Sequence, residues 1–484
     1  MEGGHQGVTL IEPRSKDAPD LVELGAQPSN ILNSSYLDLN TDPPIASVPP
    51  EVLGYILNFV YEKSDSDGNK RPNSPIVFSH VCRFWRLVAL DNSLWWARII
   101  VTHPWKLDEV GAFLDRSKEC PLDLRIFVNI NLTTTERLIY SLPLEFPPLE
   151  NYENLRDLIS PHIYRCRIFR IQGYFDKSTQ FLVPYLLESF HSIDMPHLEQ
   201  FIADGRLEFK QKIYARELFS SAPLLRDLRI GGRGLTGYLL PLSTITKLHL
   251  TAPAEISPEE LNTIFHACTC LTELALYNNI LDLEEFPFSP LFVLPSLLTL
   301  QLLAHMTAVS EFLLLISSAP KLRRLVLVPV TELDLQPLKQ SMIKHNFPSL
   351  TSIVLSPMDE ESWDAVDHAS TCFPEVTHLI LANVYPDEFS RYFLERTIPL
   401  FPRLLELALK GVDKALGRMI NDFVIFRHSE KIPLQTVFVD EASMRHLSSH
   451  SHLWGDTKVV GVDLIGPLGE DLTHAVKHRF VSRY

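Results

Sequence analysis

The sequence predicts an α/β chain in which a few short helices near the N-terminus lead into a long solenoid, with parallel strands inside and helices outside. Three observations predict it. A strand pattern L-x-x-L-x-L recurs through most of the chain at a spacing of roughly 20–30 residues. A proline-bearing tail that ends a helix-patterned segment stands ahead of many copies. Upstream of the first copy, Val48 to Ile99 shows helical apolar spacing and no sustained alternation.

Taken in order, residues 1–44 are polar, rich in Pro, Asp, Asn and Ser, and have no sustained period, so they are expected to be disordered. A helix is expected next. Pro49 and Pro50 preset φ where the first-turn N–H groups need no partner, and Glu51 sits where the helix dipole favours a negative charge. Leu53, Ile56, Leu57 and Val60 then follow at i, i+3, i+4, i+7, which reads as one apolar stripe. Glu62 to Pro75 is polar and reads as a solvated loop inserted between helices. Val81, Trp85 and Val88 recur on one face of the following segment, and Ser93-Leu94-Trp95-Trp96 closes it. Helices this short cannot bury so many aromatic and aliphatic groups among themselves, so a partner surface is expected.

The ordered combination Pro49-Pro50-Glu51-Val52-Leu53, Ile56-Leu57-Asn58-Phe59-Val60, Val81-Cys82-Arg83-Phe84-Trp85-Arg86 and Leu94-Trp95 resembles the F-box, over residues 45–100. That family docks onto a Skp-type adaptor of cullin–RING ubiquitin ligases. The resemblance implies adaptor contacts at Pro49, Leu53, Ile56, Leu57, Val60, Val81, Trp85, Leu94 and Trp95. The Glu62 to Pro75 insert departs from the family pattern.

The strand pattern continues through Leu225-Leu228-Ile230, Ile245-Leu248-Leu250, Leu271-Leu274-Leu276, Leu297-Leu300-Leu302 and Leu322-Leu325-Leu327. Further copies are Leu350-Ile353-Leu355, Val376-Leu379-Leu381, Leu404-Leu407-Leu409 and Leu434-Val437-Val439, with weaker ones at Cys166-Phe169-Ile171 and Leu198-Phe201. The segment from Cys120 to Ile126 is expected to open the series. One such unit buries too little apolar surface alone, so neighbours must stack, over residues 101–440. Residues 441–484, with a possible last strand at Lys458–Leu464, read as a cap. This layout resembles the F-box proteins with degenerate leucine-rich regions that are abundant in mushroom-forming fungi.

A net charge of −15 argues against a nucleic-acid surface. No apolar run reaches the ~18 residues of a membrane span, and Met1-Glu2-Gly3-Gly4-His5 lacks the parts of a secretory signal. A cytoplasmic or nuclear protein is expected. The six cysteines are scattered and read as reduced core residues. Gly232-Arg233-Gly234-Leu235-Thr236-Gly237 matches G-x-G-x-x-G, but Pro241 and the strand at Ile245 leave no room for the helix a dinucleotide site needs, so it reads as a turn. His266-Ala267-Cys268-Thr269-Cys270 lacks a second ligand pair at zinc spacing, and His446, His450 and His452 form only a loose cluster. No catalytic motif, cofactor or metal site is expected.

What remains is the strand face. Alternation points the leucines inward and the positions beside the middle leucine outward. The outward set contains Asp227, Arg229, Lys247, His249, Glu273, Arg324, His378 and Glu406, with Tyr277 and Lys410 just past their strands. Both charge signs occur, so this is no simple phosphate-binding face. The expectation is a non-catalytic substrate receptor of a Skp–cullin–F-box ligase, holding an unknown target protein on the solenoid. The alternative is a scaffold that binds the adaptor without delivering substrates for degradation.

Overall fold

The computed structural model describes residues 48–64, 74–102, 105–128, 149–173, 186–203, 216–231, 235, 237–251, 256–277, 291–303, 308–340, 345–357, 361–382, 384–441, 443–447 and 454–462. The expected disordered segment 1–44, the glycine-rich turn apart from Leu235 and Gly237, and most of the 441–484 cap lie outside them. The chain divides into two units, Met1–Leu53 and Gly54–Tyr484, and the architecture below is that of the second, with the first turn of α1 belonging to the first.

The fold is α/β, and a 14-stranded parallel sheet dominates it. Its strands are β1 Arg98–Thr102, β2 Leu122–Val128, β3 Cys166–Gly173, β4 Gln200–Ala203, β5 Asp227–Gly231, β6 Lys247–Thr251 and β7 Glu273–Tyr277. They continue as β8 Thr299–Leu303, β9 Arg324–Val330, β10 Ser352–Pro357, β11 His378–Leu381, β12 Glu406–Leu409, β13 Thr436–Asp440 and β14 Lys458–Val462. Each strand pairs with the one before and after it in the chain, so sheet order is chain order. Register is uniform along the row: Leu228, Leu248, Leu274, Leu300, Leu325, Ile353, Leu379, Leu407, Val437 and Val459 are successive partners. A one-residue slip would turn each of these side chains out of the core, and that is why the leucine pattern holds the register.

Thirteen α-helices accompany the sheet among the described residues. Four precede it: α1 Pro50–Ser64, α2 Ser74–Val81, α3 Arg83–Asp91 and α4 Ser93–Trp96. The rest fall between or after strands: α5 Leu107–Arg116, α6 Leu149–Ile159, α7 Pro258–Ala267, α8 Ala308–Leu315, α9 Glu332–Leu335, α10 Asp364–Cys372, α11 Pro386–Phe393, α12 Lys414–Ser429 and α13 Met444–Leu447. Their starts follow local chemistry. Ser257 and Glu260 form a reciprocal capping box ahead of α7, with Pro258 at its first position. The Asp413 side chain accepts the Leu416 N–H at 2.8 Å to start α12. Their apolar faces meet the leucine rows in one core that includes Leu261, Phe265, Phe312, Phe389 and Phe423.

Three expectations are corrected. The sheet begins at β1, inside the span assigned to the helical module, and not at Cys120–Ile126. The run Ile99-Ile100-Val101 lacks the leucine spacing, yet it pairs in register with β2. The Glu62 to Pro75 insert is also too wide: α1 runs on to Ser64, α2 starts at Ser74, and Pro75 is buried. Finally, only Cys166, Cys268 and Cys372 are buried; Cys82 and Cys270 are exposed and Cys120 lies between. Burial pushes the Cys166 and Cys268 thiols up to about 12.

Among the described residues, the helices hold one buried imidazole. The His368 side chain is 8% exposed and stands 3.9 Å from both Glu332 and Asp367. Burial, then Lys339, hold its pKa below the ordinary value against the opposing pull of Asp367, Glu332 and Asp364. The folded state therefore keeps it neutral while the unfolded chain takes up a proton near pH ~6.5. Stability from this group is complete above that pH and is lost as pH falls through it toward the folded value. Melting temperature should drop over this window, and His368→Gln should flatten the drop; an unchanged pH profile in the variant would refute the assignment.

Candidate functional site

Two surfaces gather the residues singled out from sequence. The first is the helical module. Trp95 is its centre: its indole N–H donates to Asn58 Oδ1 at 3.1 Å, and its ring meets Phe78 edge-on at 5.6 Å. Phe78 also meets Trp85 edge-on at 6.2 Å. Trp96 turns the other way, donating to Ala89 O at 2.7 Å and packing on Phe113 at 5.0 Å, with the Arg116 guanidinium 4.4 Å from its ring. Leu57, Phe78, Val88, Ala89, Trp95 and Trp96 are buried.

The structure splits the nine residues expected to contact an adaptor. Leu53, Leu57 and Trp95 are buried, and Trp85 is half-buried. Pro49, Ile56, Val60, Val81 and Leu94 are exposed. The single stripe expected on α1 is thus corrected. Its apolar residues cover an arc wider than the ~100° that one core contact uses. Leu53 and Leu57 form the buried flank, while Tyr55, Ile56, Phe59 and Val60 form an exposed one. Tyr55 is 79% and Phe59 71% exposed. Sequence reasoning passed over these two aromatics, together with Val77 and Leu87, because a search for one stripe stops once a stripe is found.

Among the described residues of Gly54–Tyr484, seventeen large hydrophobic side chains are exposed, and nine of them lie between Tyr55 and Leu94. The rest are scattered singly over the remainder of the chain, as on most protein surfaces. A concentration of this kind marks an interaction surface.

The second surface is the outer face of the sheet, where uniform register lines up equivalent positions. The row just before the middle leucine holds Asp227, Lys247, Glu273, Arg324, His378 and Glu406. Its charges answer one another across strands. Glu273 takes Lys247 at 3.2 Å and the Gln301 amide at 2.8 Å, and His378 stands 3.2 Å from Glu406. Asp227 accepts from the Gln200 amide, whose carbonyl receives Arg170 at 2.6 and 2.9 Å. Arg324 is half-buried and its Nε finds no hydrogen-bond partner among the described residues; burial lowers its pKa, with Glu273 opposing.

The next row, which Ile100 opens on β1, is rich in basic residues at first and mostly apolar later. Arg125, Arg170, Ile202, Arg229 and His249 are followed by Ala275, Gln301, Val326, Val354, Ile380, Ala408 and Phe438. His249 Nδ1 and the Tyr277 hydroxyl are 3.0 Å apart, and the Arg229 guanidinium lies 4.5 Å from the Tyr277 ring centre. Of the residues expected to point outward, Arg229 and Tyr277 are buried, whereas Lys247 and Lys410 are exposed. Ala275, Tyr277, Leu303, Val326, Val328 and Val354 form a second apolar cluster on this face. Arg98, Asp123 and Arg125, linked at 3.3 and 2.8 Å, extend the charged patch to β1 and β2. Carrying the strand pattern back through Leu122-Leu124-Ile126 would have found Asp123 and Arg125.

Of the other candidates, His266 bonds its own helix at Asn262 O, 2.8 Å away, and Cys268 is buried. His450 and His452 lie outside the described residues. No group of His, Cys, Asp and Glu with metal-binding geometry occurs among the described residues, and no helix among them is long and apolar enough to cross a membrane. The chain matches no protein-family model, and no curated protein matches it at a significant score.

Proposed function

We propose that this chain is a non-catalytic substrate receptor of a Skp–cullin–F-box ubiquitin ligase. The α1–α4 surface docks the adaptor, and the outer sheet face, read as the inner wall of a leucine-rich-repeat solenoid, holds a target protein. The observation that carries the reading is the concentration of exposed large hydrophobic residues between Tyr55 and Leu94, in a segment whose sequence resembles the F-box. Catalysis in such a machine is proximity: the receptor raises the effective concentration of target lysine at the charged carrier enzyme. The mixed, cross-paired charges of the sheet face suit a protein ligand that presents both signs.

The test is co-purification of the full chain with a Skp-type adaptor. Tyr55→Ala with Phe59→Ala should cut recovery more than tenfold, since buried aromatic anchors cost about 2 kcal/mol or more each on truncation. The melting temperature should stay near that of the parent, because both side chains are exposed. Undiminished recovery would sink the docking assignment.

A further inference from the structure

A cavity of about 600 Å³ lies where the loops entering β12, β13 and β14 meet the end of α12, and Lys458 in its wall is in register, through Thr436, with Glu406 of the sheet's outer face. Its volume falls in the range of small-molecule sites. Its charge is one-sided. Arg403, Arg427, Lys431 and Lys458 line it, with His428, against the single carboxylate of Asp456. Four permanent cations to one anion is an unusual local balance in a chain whose net charge is −15.

Arg427 fixes one of these charges in place. It is 1% exposed, and its guanidinium donates only to backbone carbonyls: Ile432 at 3.0 Å, Leu404 at 2.9 Å, Phe401 at 3.3 Å and Leu400 at 3.4 Å. No carboxylate among the described residues pairs with it. Burial without a counter-ion brings its pKa down to about 10, so it remains a cation at neutral pH. A buried charge that is hydrogen-bonded but lacks a counter-ion is still costly, and an anion in the adjoining cavity would offset that cost. Arg403 shares its charge with Glu375, while Lys431 and Lys458 make no ion pair among the described residues. Pro402, Ile432 and Pro433 supply apolar wall between the cations.

We propose that this cavity binds a small phosphate-bearing organic anion, with the phosphate oxygens held by Lys431, Lys458 and Arg403 in the positive field of Arg427 and the organic part resting on the prolines. The site is independent of adaptor docking, and its test reads binding alone. The full chain is titrated calorimetrically at low salt with pyrophosphate, ATP and adenosine. Pyrophosphate and ATP should bind, and adenosine at least tenfold more weakly than ATP.

Lys431→Asn combined with Lys458→Glu should weaken pyrophosphate at least tenfold, as loss of charge-assisted hydrogen bonds does. Asn tolerates the left-handed φ of 62° at position 431, and both side chains are exposed, so the melt should be unchanged. If the variant melts early, the parent protein alone decides: raising salt to about 0.5 M should weaken pyrophosphate several-fold by screening. Failure of pyrophosphate and ATP to bind, adenosine binding as tightly as ATP, undiminished binding by a folded double variant, or salt-insensitive binding would each overturn the site.

Discussion

Leu325→Asp unfolds the sheet around β9. Leu325 is fully buried and lies between Leu300 and Ile353 in register, so its side chain belongs to three strands at once. A carboxylate there has no partner and no water, and the substitution should cost about 4 kcal/mol or more, a large part of the 5–15 kcal/mol that holds a typical domain. Because each strand leans only on its chain neighbours, the damage should spread to β8 and β10 before the ends of the sheet. Hydrogen exchange would locate it, and chemical denaturation would size it.

The matching outer-face control is Lys247→Gln. It gives up a half-exposed pair with Glu273, and such pairs are worth about 0–1 kcal/mol. Arg324 is a poor control despite its outward position, since its half-buried guanidinium faces Glu273 and a reversed charge would sit against that carboxylate. If Leu325→Asp and Lys247→Gln denature alike, the assignment of inner and outer faces is wrong.

Trp95→Ala should collapse the helical module. The indole is 1% exposed, holds Asn58 by its N–H and carries the Phe78 ring. Truncating a buried tryptophan costs about 3–5 kcal/mol through lost burial and the cavity left behind, and Asn58 loses its donor as well. Adaptor recovery should fall along with the helical signal. Phe59→Ala should lower recovery with the helices intact, so circular dichroism separates the two variants. Intact helices in Trp95→Ala would mean that the module is held together elsewhere.

The parallel strands were legible in sequence because leucine spacing and register are one fact: a side chain that must point inward at every second strand position leaves few alternatives. β1 was hidden because Ile99-Ile100-Val101 is apolar on both faces, and a two-sided run shows no alternation. The same reason concealed the second apolar cluster, although Leu325-Val326-Leu327-Val328 carries the mark of a strand covered on both sides. For the helices, composition disclosed more apolar side chains than they bury among themselves. Which flank of α1 is left exposed depends on where Trp95 and Phe78 sit in space, and no spacing rule contains that. The cavity beside Arg427 was invisible for a related reason, since its lining comes from three separate loops.

Between the helical module and the sheet stands a single residue. α4 ends at Trp96, β1 starts at Arg98, and the Ala97 carbonyl is itself taken by the Asp123 N–H at 2.9 Å. Trp96 is clamped between α3 and α5. There is no swivel here. On the proposed function, whatever rides on the sheet is carried at a fixed bearing from whatever grips the helices, so the chain acts as a ruler: targets are sorted by where their lysines fall along it, and a target that binds well but presents its lysines at the wrong reach is held without being marked.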